Sequence, residues 1–233
     1  MLKGLIIAID GPAGSGKSTS AKLVAKKLGY LYIDTGAMYR AITFHALENR
    51  AIGDESKIIE LARKCKIELN YVDGEVIVLL NDENVSDKIR SAEVNAQVSD
   101  VSKISEVRKL LVEKQREIGA KGYGVVMEGR DIGTVVFPNA DVKIFLTASL
   151  DTRATRRTNE YRENGSNVLV DEIKHNLSNR DKIDSSRNDS PLKKANDAVE
   201  VDTTNVTIDQ QVNMILDVVK NVADKKNIQL KIN

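Results

Sequence analysis

Short apolar runs alternate along the chain with longer segments in which apolar residues recur at helical spacing. This alternation is typical of a parallel β-sheet flanked by helices. Five apolar runs are predicted as strands: Leu5–Ile9, Tyr30–Asp34, GVVME, VKIFLT and DAVEVDT. Helices are predicted at Ser18–Leu28, Met38–Asn49, Glu93–Ile118 with a break near Ser102, Leu150–Asn164, Asp171–Asp184 and Ile208–Ala223. The pattern therefore predicts an α/β fold built on a five-stranded parallel sheet.

The segment KIELNYVDGEVIVLL departs from this alternation, because two β-rich runs flank the dipeptide Asp73-Gly74. Such a dipeptide between alternating apolar runs is a strong hairpin signal. Antiparallel structure inside an alternating chain predicts a β-rich insert at residues 66–90. We expect residues 1–233 to form a single domain that carries this insert, with a mobile turn at Gly165–Val168.

Composition narrows the class of protein. The 41% hydrophobic content supports a buried core, and 35 basic against 34 acidic residues give a net charge of only +1. Such a balance argues against a partner that is a nucleic acid polymer or a membrane surface. The single cysteine, Cys65, excludes an intramolecular disulfide and indicates a reducing compartment. No apolar stretch approaches the roughly 18 residues that span a bilayer. We expect a soluble, cytoplasmic monomer.

The stretch GPAGSGKS, from Gly11 to Ser18, lies between a predicted strand and a predicted helix. It fits G-x-x-x-x-G-K-[ST], a loop whose backbone N–H groups point inward and bind phosphate. Lys17 is expected to reach the β- and γ-phosphates, and the Ser18 hydroxyl to ligate Mg²⁺. The competing interpretation is a plain glycine turn with a solvated lysine. Such a turn would not require both a strand before it and a helix after it. The residues predicted to bind ATP are Gly11, Pro12, Ala13, Gly14, Ser15, Gly16, Lys17, Ser18 and Thr19.

Arginine and aspartate cluster at three further places, two of them directly after predicted strands. Ligands of open parallel sheets bind beyond the carboxyl ends of the strands, so these clusters should lie near the phosphate loop. Transfer of phosphate to a small acceptor needs a second anion site and the exclusion of water. Each arginine alone is also compatible with a surface ion pair. The clusters contain Arg40 in DTGAMYR, Arg130 and Asp131 in EGRDIGT, and Arg180, Asp184 and Arg187 in RDKIDSSR.

These motifs together make the chain similar to the bacterial cytidylate kinases, over essentially its whole length. The likeness rests on IDGPAGSGKST, DTGAMYR, GRDIGTVVFP and the SP that follows Arg187 in RNDSPL. The resemblance implies transfer of phosphate from ATP to CMP and dCMP with Mg²⁺, in pyrimidine nucleotide metabolism. It also implies that the β-rich insert closes over the monophosphate and that a short helical lid at residues 153–170 covers the donor.

The resemblance also implies roles for individual residues. Arg40 and Arg130 would hold the acceptor's phosphate and ribose, with Asp34 beside them. Thr35, Ser99, Arg108 and Asp131 would read the edge of the cytosine ring, and Arg180, Asp184 and Arg187 would lie near the sugar. Thr35 stands where some members of the family have Ser. Glu128 stands where the family commonly has Asp, and it would support Mg²⁺ through water.

The sequence TRATRR contains three arginines that resemble lid arginines of nucleoside monophosphate kinases. Lid arginines would neutralise charge on the phosphoryl group during transfer. The competing interpretation is a solvated helix face paired with Glu160 and Glu163. We predict the lid role for Arg153 and Arg157, whereas the role of Arg156 stays open. The predicted catalytic residues are Lys17, Arg130, Asp131, Arg153 and Arg157.

Two other functions compete with this interpretation. One is a kinase of the same fold that acts on UMP or on a non-nucleotide metabolite. The residues proposed to read the base, Ser99, Arg108 and Asp131, would distinguish it from a kinase that acts on CMP. The other is a GTP-dependent switch, which usually carries an Asn-Lys-x-Asp motif after a core strand. The segment NRDKID (Asn179–Asp184) has the wrong spacing for that motif and lies in a polar helix.

Overall fold

The computed structural model describes residues 4–231, apart from 73–74, 121, 123, 164 and 166–167, and without the side chains of 71, 72 and 75. Its strands are β1 (Ile6–Asp10), β2 (Leu31–Asp34), β3 (Ile67–Val72), β4 (Glu75–Leu80), β5 (Glu83–Asn84), β6 (Val125–Gly129), β7 (Val142–Thr147) and β8 (Val199–Asp202). Five of them form a parallel sheet in the order β2-β6-β1-β7-β8. The predicted fold class is confirmed.

The described residues include eight α-helices, which cover both faces of this sheet. They are α1 (Lys17–Leu28), α2 (Thr35–Glu48), α3 (Glu55–Lys64), α4 (Ala92–Val101), α5 (Ser105–Gly119), α6 (Leu150–Glu163), α7 (Val170–Ser185) and α8 (Ile208–Lys225). Successive residues of a strand point to opposite faces. Accordingly Ile7 and Ile9 of β1 join the core under α1 and α8, whereas Ala8 joins the core under α5.

The remaining strands form a separate antiparallel sheet in the order β3-β4-β5. β3 and β4 pair from Ile67 opposite Leu80 to Val72 opposite Glu75, while the predicted turn at Asp73-Gly74 lies outside the described residues. The short third strand was not predicted. Val78 and Leu80 of this sheet pack into the same core as α2, α3 and α5. The boundaries 66–90 stay a prediction.

Local capping explains where the helices differ from the sequence prediction. α2 begins at Thr35 rather than Met38, because the Asp34 carboxylate accepts a hydrogen bond from the Ala37 N–H at 3.1 Å and caps the helix. α3 was not predicted, although Asp54 caps it in the same way. The predicted break near Ser102 is confirmed, since α4 ends and α5 begins on either side of it. The predicted turn at Gly165–Val168 includes residues that the structure does not describe.

The sheet order brings the functional segments together. β2, β6 and β1 are neighbours and parallel, so their carboxyl ends meet at one edge of the sheet. The phosphate loop follows β1, α2 follows β2, and Arg130 and Asp131 follow β6. In the part of the chain that the structure describes, no helix is both long and apolar enough to cross a bilayer.

Candidate active site

The loop between β1 and α1 has the backbone geometry of a phosphate cradle. Gly14 and Gly16 have φ angles of 75° and 88°, a left-handed region that favours glycine. Gly11 is tied to the sheet, since a Cβ atom there would lie 2.1 Å from the carbonyl oxygen of Leu146 in β7. The loop leads into the positive N-terminal end of α1, which favours anions.

Lys17 is buried at the start of α1, and its Nζ donates to the carbonyl oxygen of Pro12 at 2.8 Å. Burial, followed by repulsion from Arg130, lowers the pKa of Lys17 to about 7. An ammonium group in this position is desolvated and stands beside other cations. An anion bound on the loop would restore its charge.

Ser18 at the start of α1 and Glu128 at the end of β6 line the same cleft, and Ser18 is among the groups that counteract the rise in the pKa of Glu128. Tyr32 donates to the same carboxylate at 2.6 Å. Burial, and then the nearby Asp34, raise the pKa of Glu128. A hydroxyl and a carboxylate beside a phosphate loop are the oxygen donors that Mg²⁺ prefers.

The N-terminal end of α2 supplies one side of a second charged region. Arg40 pairs with Asp34 at 2.7 Å, and the Thr35 hydroxyl donates to the carbonyl oxygen of Glu128 at 2.7 Å. Burial alone would raise the pKa of Asp34, but the Arg40 guanidinium outweighs burial and holds that pKa below its ordinary value. The ion pair therefore stays charged at neutral pH and orients Arg40.

Arg108 and Asp131 form a buried ion pair deeper in the same region. Their shortest distance is 2.6 Å, and the side chains are only 4% and 5% exposed. Arg108 also donates to the Ser102 carbonyl oxygen at 3.1 Å and lies over the ring of Tyr39 at 5.2 Å. The Nε atom of Arg108 is buried and has no hydrogen-bond partner in the described part of the chain. Arg108 and Asp131 both line the cleft, and the pair leaves this one N–H donor unsatisfied by the described residues.

A second cluster of charge joins β6 to α7. Arg130 donates to Asp184 at 2.8 Å, and Arg187 pairs with the other oxygen of the same carboxylate. Burial alone would raise the pKa of Asp184, but the guanidinium groups of Arg130 and Arg187 hold it below its ordinary value. Burial and the positive charge of Arg130 lower the pKa of Arg180 to about 10. Such an excess of buried positive charge suits a bound anion.

The three arginines of the TRATRR segment, which lies in α6, occupy different surroundings. Arg153 is buried, donates to the Ala13 carbonyl oxygen at 3.0 Å and pairs with Asp181 at 2.7 Å. Arg156 donates to the Thr203 carbonyl oxygen at 2.6 Å. Arg157 is 38% exposed and pairs with Glu160 at 2.7 Å. Arg156 and Arg157 line the main cleft, whereas Arg153 is not among the described residues that line it.

One cleft of about 550 Å³ joins the phosphate loop to both arginine clusters. The predicted residues that line it are Ala13, Gly14, Gly16, Lys17, Ser18, Thr19, Asp34, Thr35, Arg40, Ser99, Arg108, Glu128, Arg130, Asp131, Arg157, Arg180, Asp184 and Arg187. Gly11, Pro12, Ser15 and Arg153 are absent from this lining, as far as the chain is described.

Sequence reasoning missed several side chains of the cleft, among them Tyr39 and Gln211. Tyr39 lies within the quoted motif DTGAMYR, and its position one residue before Arg40 was a usable signal. Gln211 of α8 donates to the Gly16 carbonyl oxygen at 3.2 Å and also bonds the Ser20 hydroxyl. Gln211 adjoins the apolar residue Val212 in sequence, but nothing local indicates that its amide reaches the phosphate loop.

The fold and the cleft define a phosphate-loop kinase: a triphosphate cradle faces a second cationic subsite across a shared cavity. Residues 7–221 match the model of the cytidylate kinase family. A cytidylate kinase from Bacillus velezensis is 51% identical over 94% of this chain and 98% of its own. One from Bacillus cereus is 49% identical over 97% of this chain and 100% of its own.

The chain therefore belongs to the cytidylate kinase family. Among solved structures, an uncharacterized protein from Eubacterium ventriosum aligns with a TM-score of 0.54 at 15% identity. That alignment covers 94% of this chain and 99% of the other. At this identity the likeness concerns the fold alone.

Proposed function

We propose that this protein transfers the γ-phosphoryl group of ATP to CMP and dCMP by direct in-line displacement. The observation that carries the proposal is the buried pair Arg108–Asp131, which lines the same cleft as the phosphate loop. The roughly 50% identity to named cytidylate kinases over nearly the whole chain supports the same reaction. We also retain the predictions of a cytoplasmic location and a monomeric state.

The donor would lie with its phosphates on Gly14, Gly16 and Lys17. Inward-pointing backbone N–H groups and the start of α1 bind negative charge without reorganising. Lys17 would regain its full charge when the triphosphate approaches, because an adjacent anion raises a lysine pKa. It would then stabilise the negative charge on the transferring group.

The acceptor base would be read by Arg108 and Asp131. Cytosine presents an amino donor beside two acceptors, the ring nitrogen and the carbonyl oxygen. The carboxylate of Asp131 would accept from the amino group, and Arg108 would donate to the acceptors. Uracil presents a carbonyl oxygen where cytosine has its amino group. That oxygen would face the Asp131 carboxylate, and two hydrogen-bond acceptors would then oppose each other. Such a mismatch disfavours binding of UMP.

The acceptor phosphate would lie between Arg40, Arg130 and Arg180. Guanidinium groups bind phosphate through paired N–H donors. Arg40 and Arg130 are already oriented by Asp34 and Asp184. Holding both phosphates in one cleft aligns the acceptor oxygen with the γ-phosphorus, and this alignment is a large part of catalysis in phosphoryl transfer.

The donor set beside the phosphate loop fits Mg²⁺. Ser18 would be the direct ligand, and Glu128, oriented by Tyr32, would act through water. Mg²⁺ in kinases is commonly held by one or two protein oxygens together with the nucleotide's phosphates, and it offsets their charge. The remaining residues of the site bind and orient the two nucleotides.

The α6 arginines divide between two roles in this proposal. Arg157 is partly exposed at the cleft and is suited to approach the transferring phosphoryl group as part of a lid at residues 153–170. The contacts of Arg153 with Ala13 and Asp181 favour a role in holding the phosphate loop rather than contact with phosphate. We propose that the β3-β4-β5 sheet belongs to a monophosphate-binding insert that closes on the acceptor.

The direct test is a coupled assay of ADP formation with each of the common nucleoside monophosphates, with and without Mg²⁺. We expect Mg²⁺-dependent turnover with CMP and dCMP and much poorer turnover with UMP and AMP. Equal or better turnover of UMP, AMP or shikimate would overturn the assignment of acceptor. Strong guanine-nucleotide preference without phosphotransfer would instead favour a GTP-dependent switch.

A further inference from the structure

Asp10 is a buried carboxylate at the end of β1, one residue before the phosphate loop. Its two oxygens accept hydrogen bonds from two consecutive backbone amides on another segment. Oδ1 accepts from the Ile132 N–H at 2.8 Å, and Oδ2 accepts from the Gly133 N–H at 2.7 Å. The lining of the main cleft, over the described residues, does not include Asp10.

The two amides open a short π-helical turn that directly follows Arg130 and Asp131. The turn spans Ile132–Val136, and the N–H groups of Val135 and Val136 donate to the Asp131 carbonyl oxygen. The first amides of a helical turn have no partner within the turn, so an acceptor from elsewhere must satisfy them when they are buried. Asp10 is that acceptor.

Burial of this carboxylate is energetically costly. Burial raises its pKa to about 6, with Asp131 adding to the rise, although the two amides oppose it. Attraction to Lys17 of the phosphate loop opposes the rise too, but less than the two amides do. A neutral side chain would avoid this cost, so the carboxylate's capacity to accept from both amides is the feature that matches the geometry.

We propose that Asp10 is a positioning residue. It fixes two neighbouring acceptor-binding residues, Arg130 and Asp131, relative to the phosphate loop. β1 and β6 are paired with Asp10 opposite Gly129, so the carboxylate bridges the point where the donor loop and the acceptor turn leave the sheet. This inference rests on the proposed function, since it takes CMP as the acceptor.

The test is Asp10→Asn, which keeps the shape but offers one acceptor oxygen in place of two. Leaving one buried amide unsatisfied is expected to raise the KM for CMP by about tenfold or more. The affinity for a fluorescent ATP analogue, measured without CMP, is expected to stay within about threefold of the wild-type value. A merely structural role would weaken both ligands alike or lower the Tm only.

Asp141→Asn is the matched control. Asp141 also accepts a backbone N–H of β1, that of Ile6 at 2.8 Å, but at the opposite end of the strand. It should leave the KM for CMP unchanged. If Asp10→Asn does not fold, Asp10→Glu is the variant to measure, because it keeps two acceptor oxygens but displaces them. It is expected to raise the KM for CMP in the same way.

An unchanged KM for CMP in a folded Asp10 variant, or an equal loss of ATP and CMP binding, would overturn the proposal. Failure of the wild-type protein to phosphorylate CMP would instead overturn the proposed function. The two failures are therefore distinguishable.

Discussion

The Lys17→Met variant is expected to lose about 10²–10³-fold in kcat while it remains folded. Lys17 is the buried cation of the phosphate loop, and its Nζ contacts the Pro12 carbonyl oxygen at 2.8 Å. Methionine fills a similar volume without a charge, so the loss reports stabilisation of the transferring phosphoryl group. The measurement is kcat for ADP formation with saturating ATP and CMP.

Lys26→Met is the control for this variant, because Lys26 lies on the same helix but is exposed. Its kcat should equal that of the wild-type protein.

The charge state of Lys17 supplies a second readout. At about pH 8 a lysine of pKa about 7 is mostly neutral, so ATP binding should take up close to one proton. Calorimetry in buffers of different ionisation enthalpy measures that uptake, and Lys17→Met should abolish it.

The Arg108→Met variant is expected to lower kcat/KM for CMP by about 100-fold or more. The change removes the proposed donor to cytosine and leaves the buried Asp131 carboxylate without its partner at 2.6 Å. Asp131 would then also lose the hydrogen bond that holds its carboxylate in place to accept from the amino group of the base. ATP binding in the absence of CMP should change little, because Arg108 belongs to the acceptor side.

Arg63→Met is the matched control, since Arg63 pairs with Glu106 of α5 at 3.5 Å on the exposed surface. An exposed ion pair contributes little to stability, so kcat/KM for CMP should stay within about twofold of the wild-type value. Equal losses of CMP and ATP affinity in Arg108→Met would argue against its role in reading the base. Arg108→Lys should recover part of the activity, because it keeps the charge but not the planar set of donors.

The sheet and most helices could be predicted from the sequence because their signals are local. The phosphate loop, the hairpin strands and the break near Ser102 all follow from spacing and turn chemistry. The start of α2 was placed three residues too late, although Asp34 is a good capping residue directly before Thr35. α3 was missed despite the Asp54 cap and its apolar residues Ile58 and Ala62.

The parts of the site that escaped prediction depend on partners distant in sequence. The π-helical turn at Ile132–Val136 is held by Asp10, more than a hundred residues away along the chain. Arg153 and Arg157 are four residues apart in one helix, yet Asp181 of α7 and the Ala13 carbonyl engage only Arg153. The difference between the two arginines depends on how α6 packs against α7 and the phosphate loop. No pattern in the local sequence indicates it.

The central claim is that one cleft holds donor and acceptor together for direct transfer. It is tested most directly with a compound that joins adenosine and cytidine through a five-phosphate chain. We predict inhibition that is competitive against both ATP and CMP, with the uridine counterpart much weaker. Competition against only one substrate, or equal inhibition by the uridine compound, would contradict the account.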